Sequence, residues 1–198
     1  MSMKVVGLQQ ALAEIEKELG KIRDDQYVTI GIHEEAGNVE SGDINMATLG
    51  AVLNFGADIN HPGGTSYGYA TKEAASRGEV RFLKTGTGFK QLGVTKPHTI
   101  TIPARPWLEP GVQSQTREYI SVIESGASQD LPTVAILDKI GVIAQGAVRI
   151  FMTELQDPPN AKSTIRKKGS SNPLIDTGAL RQSVTYVVHS GKLPDEGL

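Results

Sequence analysis

A stretch of about 40 residues that glycine and proline interrupt again and again constrains how this chain can fold. Within residues 57–99 the candidate strands, such as Val80–Leu83, are short, and no apolar period lasts long enough to predict a helix. Structureless loops of this length are uncommon inside compact domains. We therefore predict a protruding arm or hairpin insertion over 57–99, turning at Thr85–Gly88, that becomes ordered against another surface.

Before this stretch the hydrophobic pattern is regular. Apolar residues three and four positions apart predict an amphipathic helix over residues 8–22, with Leu8, Leu12, Ile15, Leu19 and Ile22 on its buried face. Alternation over Val28–Ile32 predicts a half-buried strand. A second helix is expected from Asn45 to Asn54, with Gly56 at its carboxyl end.

After the stretch the pattern becomes regular again. Thr99–Ile102 predicts a strand, and a helix is expected from about Gln113 to Glu124. Apolar residues over Thr133–Leu155 cover more than a third of the circumference, which predicts a long helix buried on more than one side. Asp176 or Thr177 can cap a short helix, and Val184–His189 reads as a strand.

These elements predict an α+β fold in which a mixed or antiparallel sheet is backed by helices. With 198 residues the chain is expected to form a single domain, 1–198. Residues 162–173 are polar and basic, which predicts a flexible basic loop, and residues 191–198 are expected to form a frayed tail.

Composition excludes several classes of protein. The formal net charge of −2 argues against a protein whose whole surface coats nucleic acid. The absence of cysteine removes disulfides, thiolate nucleophiles and Cys-ligated metal sites. No signal peptide is visible and no run approaches the ~18 apolar residues of a membrane span, so no membrane partner is expected.

Charge is unevenly distributed along the chain. Residues 1–60 carry a net −6 and residues 111–161 a net −3, whereas residues 61–110 carry +4 and residues 162–198 carry +3. A basic arm attached to an acidic body suits a head-to-tail contact between copies, in which the arm of one copy reaches the body of the next. Surface charge without any such role explains the same distribution.

A serine hydrolase is the first alternative. Gly64-Thr65-Ser66-Tyr67-Gly68 matches the Gly-x-Ser-x-Gly pattern of a nucleophile elbow, and Asp176 and His189 follow in the order Ser, Asp, His. The elbow requires a buried strand directly before the serine, but Asn60–Gly63 is a turn sequence. We therefore expect no catalytic residues and no enzyme activity, and interpret the motif as part of a glycine-rich arm.

No metal or cofactor is expected either. The four histidines, His33, His61, His98 and His189, lie far apart in the sequence and none forms an i, i+4 pair. Gly86-Thr87-Gly88 lacks the Gly-Lys-Ser/Thr of a phosphate loop and predicts a turn. Arg166, Lys167 and Lys168 suit a solvated loop, a contact with an acidic protein or a contact with DNA, so a DNA-binding accessory protein is the second alternative.

Three phrases resemble a known family when taken in order. They are Leu53-Asn54-Phe55-Gly56-Ala57, then Ile102-Pro103-Ala104-Arg105-Pro106-Trp107-Leu108, then Pro173-Leu174-Ile175-Asp176-Thr177-Gly178-Ala179-Leu180-Arg181-Gln182-Ser183-Val184. Together they resemble the neck, head–tail joining and tail-completion (minor tail) proteins of tailed phages. The resemblance covers most of the chain outside residues 57–99, and the long glycine-rich stretch departs from the shortest members.

The resemblance implies a structural virion protein of the tail or neck, present in the host cytoplasm during assembly. It implies a homo-oligomeric ring, six-fold on tails or twelve-fold at the head connector with six-fold favoured, around a channel through which DNA passes transiently during genome ejection. Its neighbours would be portal or adaptor proteins, or tail-tube and sheath proteins.

The residues themselves suggest where contacts between copies form. The prolines hold the chain extended, so that Trp107 is delivered as an apolar plug and Arg105 is available for a carboxylate or a backbone carbonyl. An ordinary core role suits Trp107 equally well. The full set of candidate interface residues is Tyr67, Tyr69, Phe82, Arg105, Trp107, Arg166, Lys167 and Lys168.

Overall fold

The computed structural model describes residues 25–33, 37, 44–84 and 86–191, and the chain divides into two compact units. Unit 1 comprises Met1–Phe55 with Arg105–Leu198, and unit 2 comprises Gly56–Ala104. The single domain predicted from the length, 1–198, stays a prediction. The predicted helix over residues 8–22 lies outside the described residues, as does the predicted tail beyond Gly191.

The chain combines helices with small antiparallel sheets, so the predicted α+β class is confirmed. In order the elements are β1 (Gln26–Gly31), α1 (Met46–Phe55), β2 (Ala57–His61), β3 (Ser66–Tyr69), α2 (Lys72–Ser76), β4 (Arg81–Phe82), β5 (Lys90–Val94), β6 (His98–Ile102), α3 (Leu108–Gln113), α4 (Thr116–Ser128), α5 (Thr133–Glu154), α6 (Lys162–Lys168), α7 (Ala179–Gln182) and β7 (Thr185–Ser190).

Most predicted elements of unit 1 are present within a residue or two. Helices α1 and α5 and strands β1 and β7 lie where the hydrophobic periods placed them. The helix expected from about Gln113 to Glu124 corresponds to α4, and a short helix that was not predicted, α3, precedes it and is separated from it at Ser114 and Gln115. Residues 162–168, predicted to be loop, form α6, which ends at Gly169 with φ of 74°. A left-handed glycine of this kind is a common helix terminator.

Helix α5 packs against the sheet formed by β1 and β7. These strands pair antiparallel, with Val28 opposite Val188 and Ile30 opposite Tyr186. The ring of Tyr186 lies so close to Gly141 of α5 that a Cβ there would be 2.2 Å from its Cδ2 atom. The absence of a side chain at Gly141 therefore sets the distance between α5 and the sheet of β1 and β7. Among the described residues no helix has both the length and the apolar character needed to cross a membrane.

The core of unit 1 gathers side chains from distant parts of the sequence. Val148, Met152 and Val184 are completely buried at its centre. The remaining buried members are Met46, Trp107, Leu174 and Leu180. This core is the main apolar cluster of the unit. It is formed by helix α1, the entry to α3, helix α5 and the residues around α7.

Unit 2 contains two small antiparallel sheets. Strands β2 and β6 pair along their whole length, with Ile59 opposite Ile100. Strand β3 lies between β4 and β5 in the second sheet, with a register shift at Tyr67/Gly68. The Thr71 side chain accepts a 3.1 Å hydrogen bond from Ala74 N at the start of α2.

The predicted glycine-rich arm is not confirmed as such, because residues 57–99 lie within this unit and carry secondary structure of their own. Strands β4 and β5 both pair with β3, so the turn predicted at Thr85–Gly88 does not join neighbouring strands of a hairpin.

Candidate functional site

The first two phrases of the resemblance meet through Asn54. Its side-chain oxygen accepts hydrogen bonds from the backbone N–H groups of Trp107, at 3.0 Å, and Leu108, at 3.2 Å. The Leu53 carbonyl accepts a 2.8 Å bond from Arg105 N. Asn54 thereby satisfies amide groups at the start of α3, which would otherwise lack partners. The sequence pattern alone did not single out Asn54, although an asparagine at the end of a helix indicates a local hydrogen-bonding role.

Trp107 belongs to the core of unit 1. Only 3% of its surface is exposed, and its indole Nε1 donates a 3.2 Å hydrogen bond to the Gly50 carbonyl. The prediction that Trp107 forms an apolar plug at a surface is therefore wrong for this chain, whereas the alternative of a core residue is confirmed. A large ring with one polar atom is well suited to this position, because its N–H finds a partner inside the protein.

Arg105 is also buried, with 5% of its surface exposed. Its Nε donates to Pro158 O at 2.9 Å, and Nη2 lies 3.3 Å from Pro159 O. The expected carbonyl partner is thus confirmed, but the burial removes Arg105 from the accessible surface. Desolvation lowers the pKa of its guanidinium below the ordinary value. The side chain ties the start of α3 to the segment that follows α5.

The third phrase contributes to the same core. Leu174, Leu180 and Val184 are buried within it. Asn172 shapes the turn before them, because its Oδ1 accepts 2.9 Å bonds from Leu174 N and Ile175 N. The N-cap residue of α7 is Gly178, which makes no side-chain hydrogen bond. Thr177 Oγ1 accepts a 3.3 Å hydrogen bond from Ala179 N. The three phrases thus describe one packing unit.

The three consecutive basic residues Arg166, Lys167 and Lys168 lie in two different environments. Arg166 and Lys167 are exposed on the last turn of α6. Lys168 is half-buried, and its Nζ donates a 2.5 Å hydrogen bond to the Asn172 carbonyl. Desolvation lowers the pKa of Lys168; the charge of Asp176 acts in the opposite direction and that of Arg105 in the same one. Only Arg166 and Lys167 remain freely accessible for a partner.

The aromatic candidates of unit 2 lie on its three-stranded sheet. Tyr67 is paired with Phe82 across β3 and β4, and its hydroxyl would be 2.9 Å from a Cβ placed at Gly93. Tyr67 and Tyr69 are half-buried, whereas Phe82 is 71% exposed. Phe82 is therefore the aromatic candidate with the most surface available for a partner.

Unit 2 exposes much apolar surface and buries little. Its buried hydrophobic side chains are Ala74 and Leu83. Its large hydrophobic side chains that are 41% exposed or more are Ile59, Val80, Phe82, Phe89, Leu92, Val94 and Ile100. Of this set only Phe82 was predicted as an interface residue. Ile59 and Ile100 each stand between two polar residues, and this strand-like alternation was the signal available for the others. Unit 2 carries six basic and three acidic side chains, a net +3, whereas unit 1 carries 14 and 19, a net −5.

The hydrolase candidates are arranged differently from a nucleophile elbow. Ser66 is the first residue of β3 and lies opposite Val94, within a strand rather than at a strand-to-helix turn. His189 stacks on Tyr27 at 4.8 Å between ring centroids, and its Nε2 is 2.9 Å from Thr29 Oγ1. The elbow geometry that exposes a serine nucleophile is missing at Ser66.

The remaining histidines contact each other or a threonine. The rings of His61 and His98 are 5.1 Å apart across β2 and β6. His33 Nε2 lies 3.1 Å from the same Thr29 hydroxyl that contacts His189. Within the described ranges no three His, Asp or Glu side chains come together as a metal site.

Two cavities of unit 1 could receive a ligand or a partner side chain. One, of about 320 Å³, is mainly apolar and lies between α1 and residues 173–180. The other, of about 480 Å³, is lined by α5 and α7 and contains Arg149 and Arg181. Comparisons with protein-family models, with curated proteins and with solved structures found no match to this chain.

Proposed function

We propose that this chain is a structural virion protein that forms a ring at the head–tail junction of a tailed phage or caps its tail tube. In this role it closes a ring, offers a docking face to portal or adaptor proteins or to tail-tube and sheath proteins, and surrounds a DNA channel. The function is one of geometry rather than of catalysis. Copies associate head to tail, with unit 2 of each protomer bound to its neighbour.

The observation that carries this proposal is the surface of unit 2. Seven of its large apolar side chains expose between 41% and 71% of their surface, although the unit is only 49 residues long. This many exposed large apolar side chains on a small unit favour an interaction surface. A two-stranded ribbon such as β2–β6 is marginally stable in water, and cover from a partner stabilises it.

Charge supports contact between unlike surfaces of two copies. Unit 2 is basic and unit 1 is acidic, so the two attract when they belong to neighbouring protomers. A heterologous contact of this kind generates a ring when its rotation closes. The order of the three phrases, which also share one core, supports the assignment to the neck and tail-completion class.

Excision of unit 2 tests the proposal directly. Gly56 and Ala104 are adjacent, because a Cβ at Gly56 would be 2.8 Å from Ala104 N. A short glycine-serine linker can therefore replace residues 57–103 without stretching unit 1. We expect the full chain to form rings in electron micrographs and by native mass spectrometry, and the excised chain to remain a folded monomer.

The alternatives predict other results. A full chain that stays monomeric at high concentration, or an excised chain that still forms rings, contradicts the proposal. A hydrolytic activity that Ser66→Ala abolishes would favour the hydrolase. A salt-sensitive interaction with duplex DNA that is lost on neutralising Arg166 and Lys167 would favour the DNA-binding accessory protein.

A further inference from the structure

Helices α3 and α4 and the sheet of β1 and β7 pack around helix α5. A Cβ at Gly111 of α3 would be 2.9 Å from Val148 Cα. A Cβ at Gly126 of α4 would be 2.6 Å from Ile136 Cγ1. The sheet approaches α5 at Gly141, where there is no room for a side chain. These close contacts fix which part of the helix surface the described residues cover.

The remaining side of α5 is apolar and exposed. Val142 is 53% exposed and Ile150 is 60% exposed. Ala135 lies seven residues before Val142, and Ile143 lies seven residues before Ile150, so these four residues share one side of the helix. Together they extend for about 23 Å along its axis. Exposed apolar surface of this kind favours an interaction site.

Residues 8–22 carry an apolar stripe of matching length. Its members follow at spacings of four, three, four and three; they are Leu8, Leu12, Ile15, Leu19 and Ile22. As a helix this segment would extend for about 22 Å. An isolated helix of this length is marginal in water, so packing of its apolar face has to stabilise it. The other longer stretches outside the described residues, 34–36, 38–43 and 192–198, carry no such period.

The direction of the strands shows where this segment joins the described structure. Gly141 of α5 lies against Tyr186, whereas Gln145, one turn later, donates a 2.8 Å hydrogen bond to the carbonyl of Val184, just before β7. The amino-terminal end of α5 therefore lies toward the end of β7. Strand β1 begins opposite the end of β7, because the two strands are antiparallel. The segment thus joins β1 at the amino-terminal end of α5.

The connection between the segment and β1 is short. From Ile22 to Asp25 the chain spans at most about 11 Å, which is close to the ~8–10 Å between the axes of packed helices. A helix that ends at Ile22 can therefore pack beside α5 in its own chain. The exposed apolar pair on α4, Ile120 and Ile123, is an alternative surface, but it extends for only one turn.

We infer that residues 8–22 form a helix that packs antiparallel against the exposed side of α5 in the same chain, with its apolar stripe on Val142 and Ile150. The carboxyl-terminal half of the segment then lies near Val142, and its amino-terminal half lies near Ile150. This side of α5 is thereby a binding surface for the chain's own segment rather than for a neighbouring copy. The inference does not depend on the proposed ring.

Hydrogen exchange followed by mass spectrometry tests the docking in the full chain. The amides of residues 8–22 should exchange at least about tenfold more slowly than in an unstructured peptide, because a helix of this length opens readily unless it is packed. Val142→Asp combined with Ile150→Asp places carboxylates in the contact and should remove this protection. Val142→Ile keeps the contact apolar and should retain it.

The matched control is Ile120→Asp combined with Ile123→Asp on α4, where the two side chains are 51% and 40% exposed. Protection of residues 8–22 should be unchanged in this variant. Rapid exchange of residues 8–22 in the wild-type chain overturns the inference. Full protection in the α5 variant, with the chain still folded by circular dichroism, also overturns it. Loss of protection in the α4 variant alone assigns the segment to α4 instead.

Crosslinking tests the same contact without a charged substitution. The chain has no cysteine, so Val142→Cys and Ile150→Cys, made separately, each introduce one attachment point for a photoreactive reagent. The labelled chain is mixed with an excess of isotopically heavy wild-type chain. Crosslinks within the light chain, from position 142 to residues 15–22 and from position 150 to residues 8–15, support the inference. Crosslinks to the heavy chain, to other segments or in the reverse order overturn it.

Discussion

The indole of Trp107 donates its N–H to the carbonyl of Gly50 at 3.2 Å, and the same glycine has no room for a side chain. A Cβ at Gly50 would be 2.8 Å from Ile32 Cδ1 and 3.4 Å from the Trp107 ring. The close approach of helix α1 to the tryptophan thus depends on a residue without a side chain. This contact joins the second phrase of the family resemblance to helix α1, which also carries Leu53 and Asn54 of the first phrase.

Replacement of Trp107 tests this contact. Trp107→Phe removes the donor and leaves a small void, so we expect the free energy of unfolding to fall by about 1–3 kcal/mol. Urea titration followed by circular dichroism measures the change. Phe55→Leu is the control, because Phe55 is 77% exposed and its replacement should change stability by less than ~0.5 kcal/mol. Equal effects of the two substitutions would contradict the core assignment.

Replacement of Asn54 is expected to lower the free energy of unfolding as much as replacement of Trp107. Asn54→Ala leaves the N–H groups of Trp107 and Leu108 without their acceptor. Loss of partners for such donors costs about 1–3 kcal/mol. Asn54→Asp keeps an oxygen at the position and should retain most of the stability. The same urea titration provides the comparison, and an Asp variant as unstable as the Ala variant would argue against the capping role.

The glycines of α5 offer a pair of opposite predictions. Gly141→Ala places a methyl group 2.2 Å from Tyr186 Cδ2, which forces the helix away from the sheet and should cost about 1–3 kcal/mol. Nothing lies within 4 Å of a Cβ at Gly146, so Gly146→Ala should stabilise the chain by about 0.5–1 kcal/mol. Thermal unfolding distinguishes the two, and a destabilised Gly146→Ala chain would contradict this packing.

Sequence periodicity predicted the elements that carry a clear apolar pattern of their own. The 22 residues of α5 are long enough for an apolar stripe to be unambiguous. Helix α6 was missed because its sequence, Lys162–Lys168, buries no residue completely and therefore carries no apolar period. Neither Asn54 nor the cavity that contains Arg149 and Arg181 produces a motif, because each depends on residues that are about 30 to 55 positions apart.

Most of unit 2 escaped prediction for a different reason. Its strands are two to five residues long, and glycines that resemble turn signals stand within them, such as Gly68 in β3 and Gly93 in β5. Strands β2 and β6 pair across about 40 residues of sequence. The sequence therefore indicated the strand at Thr99–Ile102, which is β6, and an irregular stretch over most of the rest.

The alkaline titration of Tyr186 provides a prediction about charge. Its hydroxyl donates to Asp138 Oδ1 at 2.8 Å. This hydrogen bond raises the pKa of Tyr186, and desolvation and the charge of Asp138 add to the effect. Because the folded pKa lies above the unfolded value of about 10, the stabilisation is present below that pH and is lost as the pH rises through the folded pKa.

The variant Asp138→Asn should lower the pKa of Tyr186 toward its ordinary value. Labelled-tyrosine NMR follows the titration, and Tyr186→Phe assigns the signal. An unchanged titration midpoint in the Asn variant would show that Asp138 does not control this phenol.

Gly68 links the fold of unit 2 to the proposed assembly. A Cβ at this position would be 2.2 Å from Lys90 O and 2.9 Å from Gln91 Cα, so Gly68→Ala should force β3 and β5 apart. Gly78→Ala is not a clean control, since Gly78 has φ of 68°, where an alanine is strained in any surroundings. Ser76→Ala in α2 serves better, because its exposed hydroxyl bonds only within its own helix.

We expect Gly68→Ala to disrupt the amide signals of unit 2 in NMR spectra, to leave those of the unit 1 core unchanged, and to prevent ring formation. Ser76→Ala should do none of these. The second unit has its own backbone ladder, so damage to that ladder removes the interaction surface without deleting it. Rings formed by a chain whose second unit has lost its NMR dispersion would therefore mean that unit 1 alone carries the contacts between protomers.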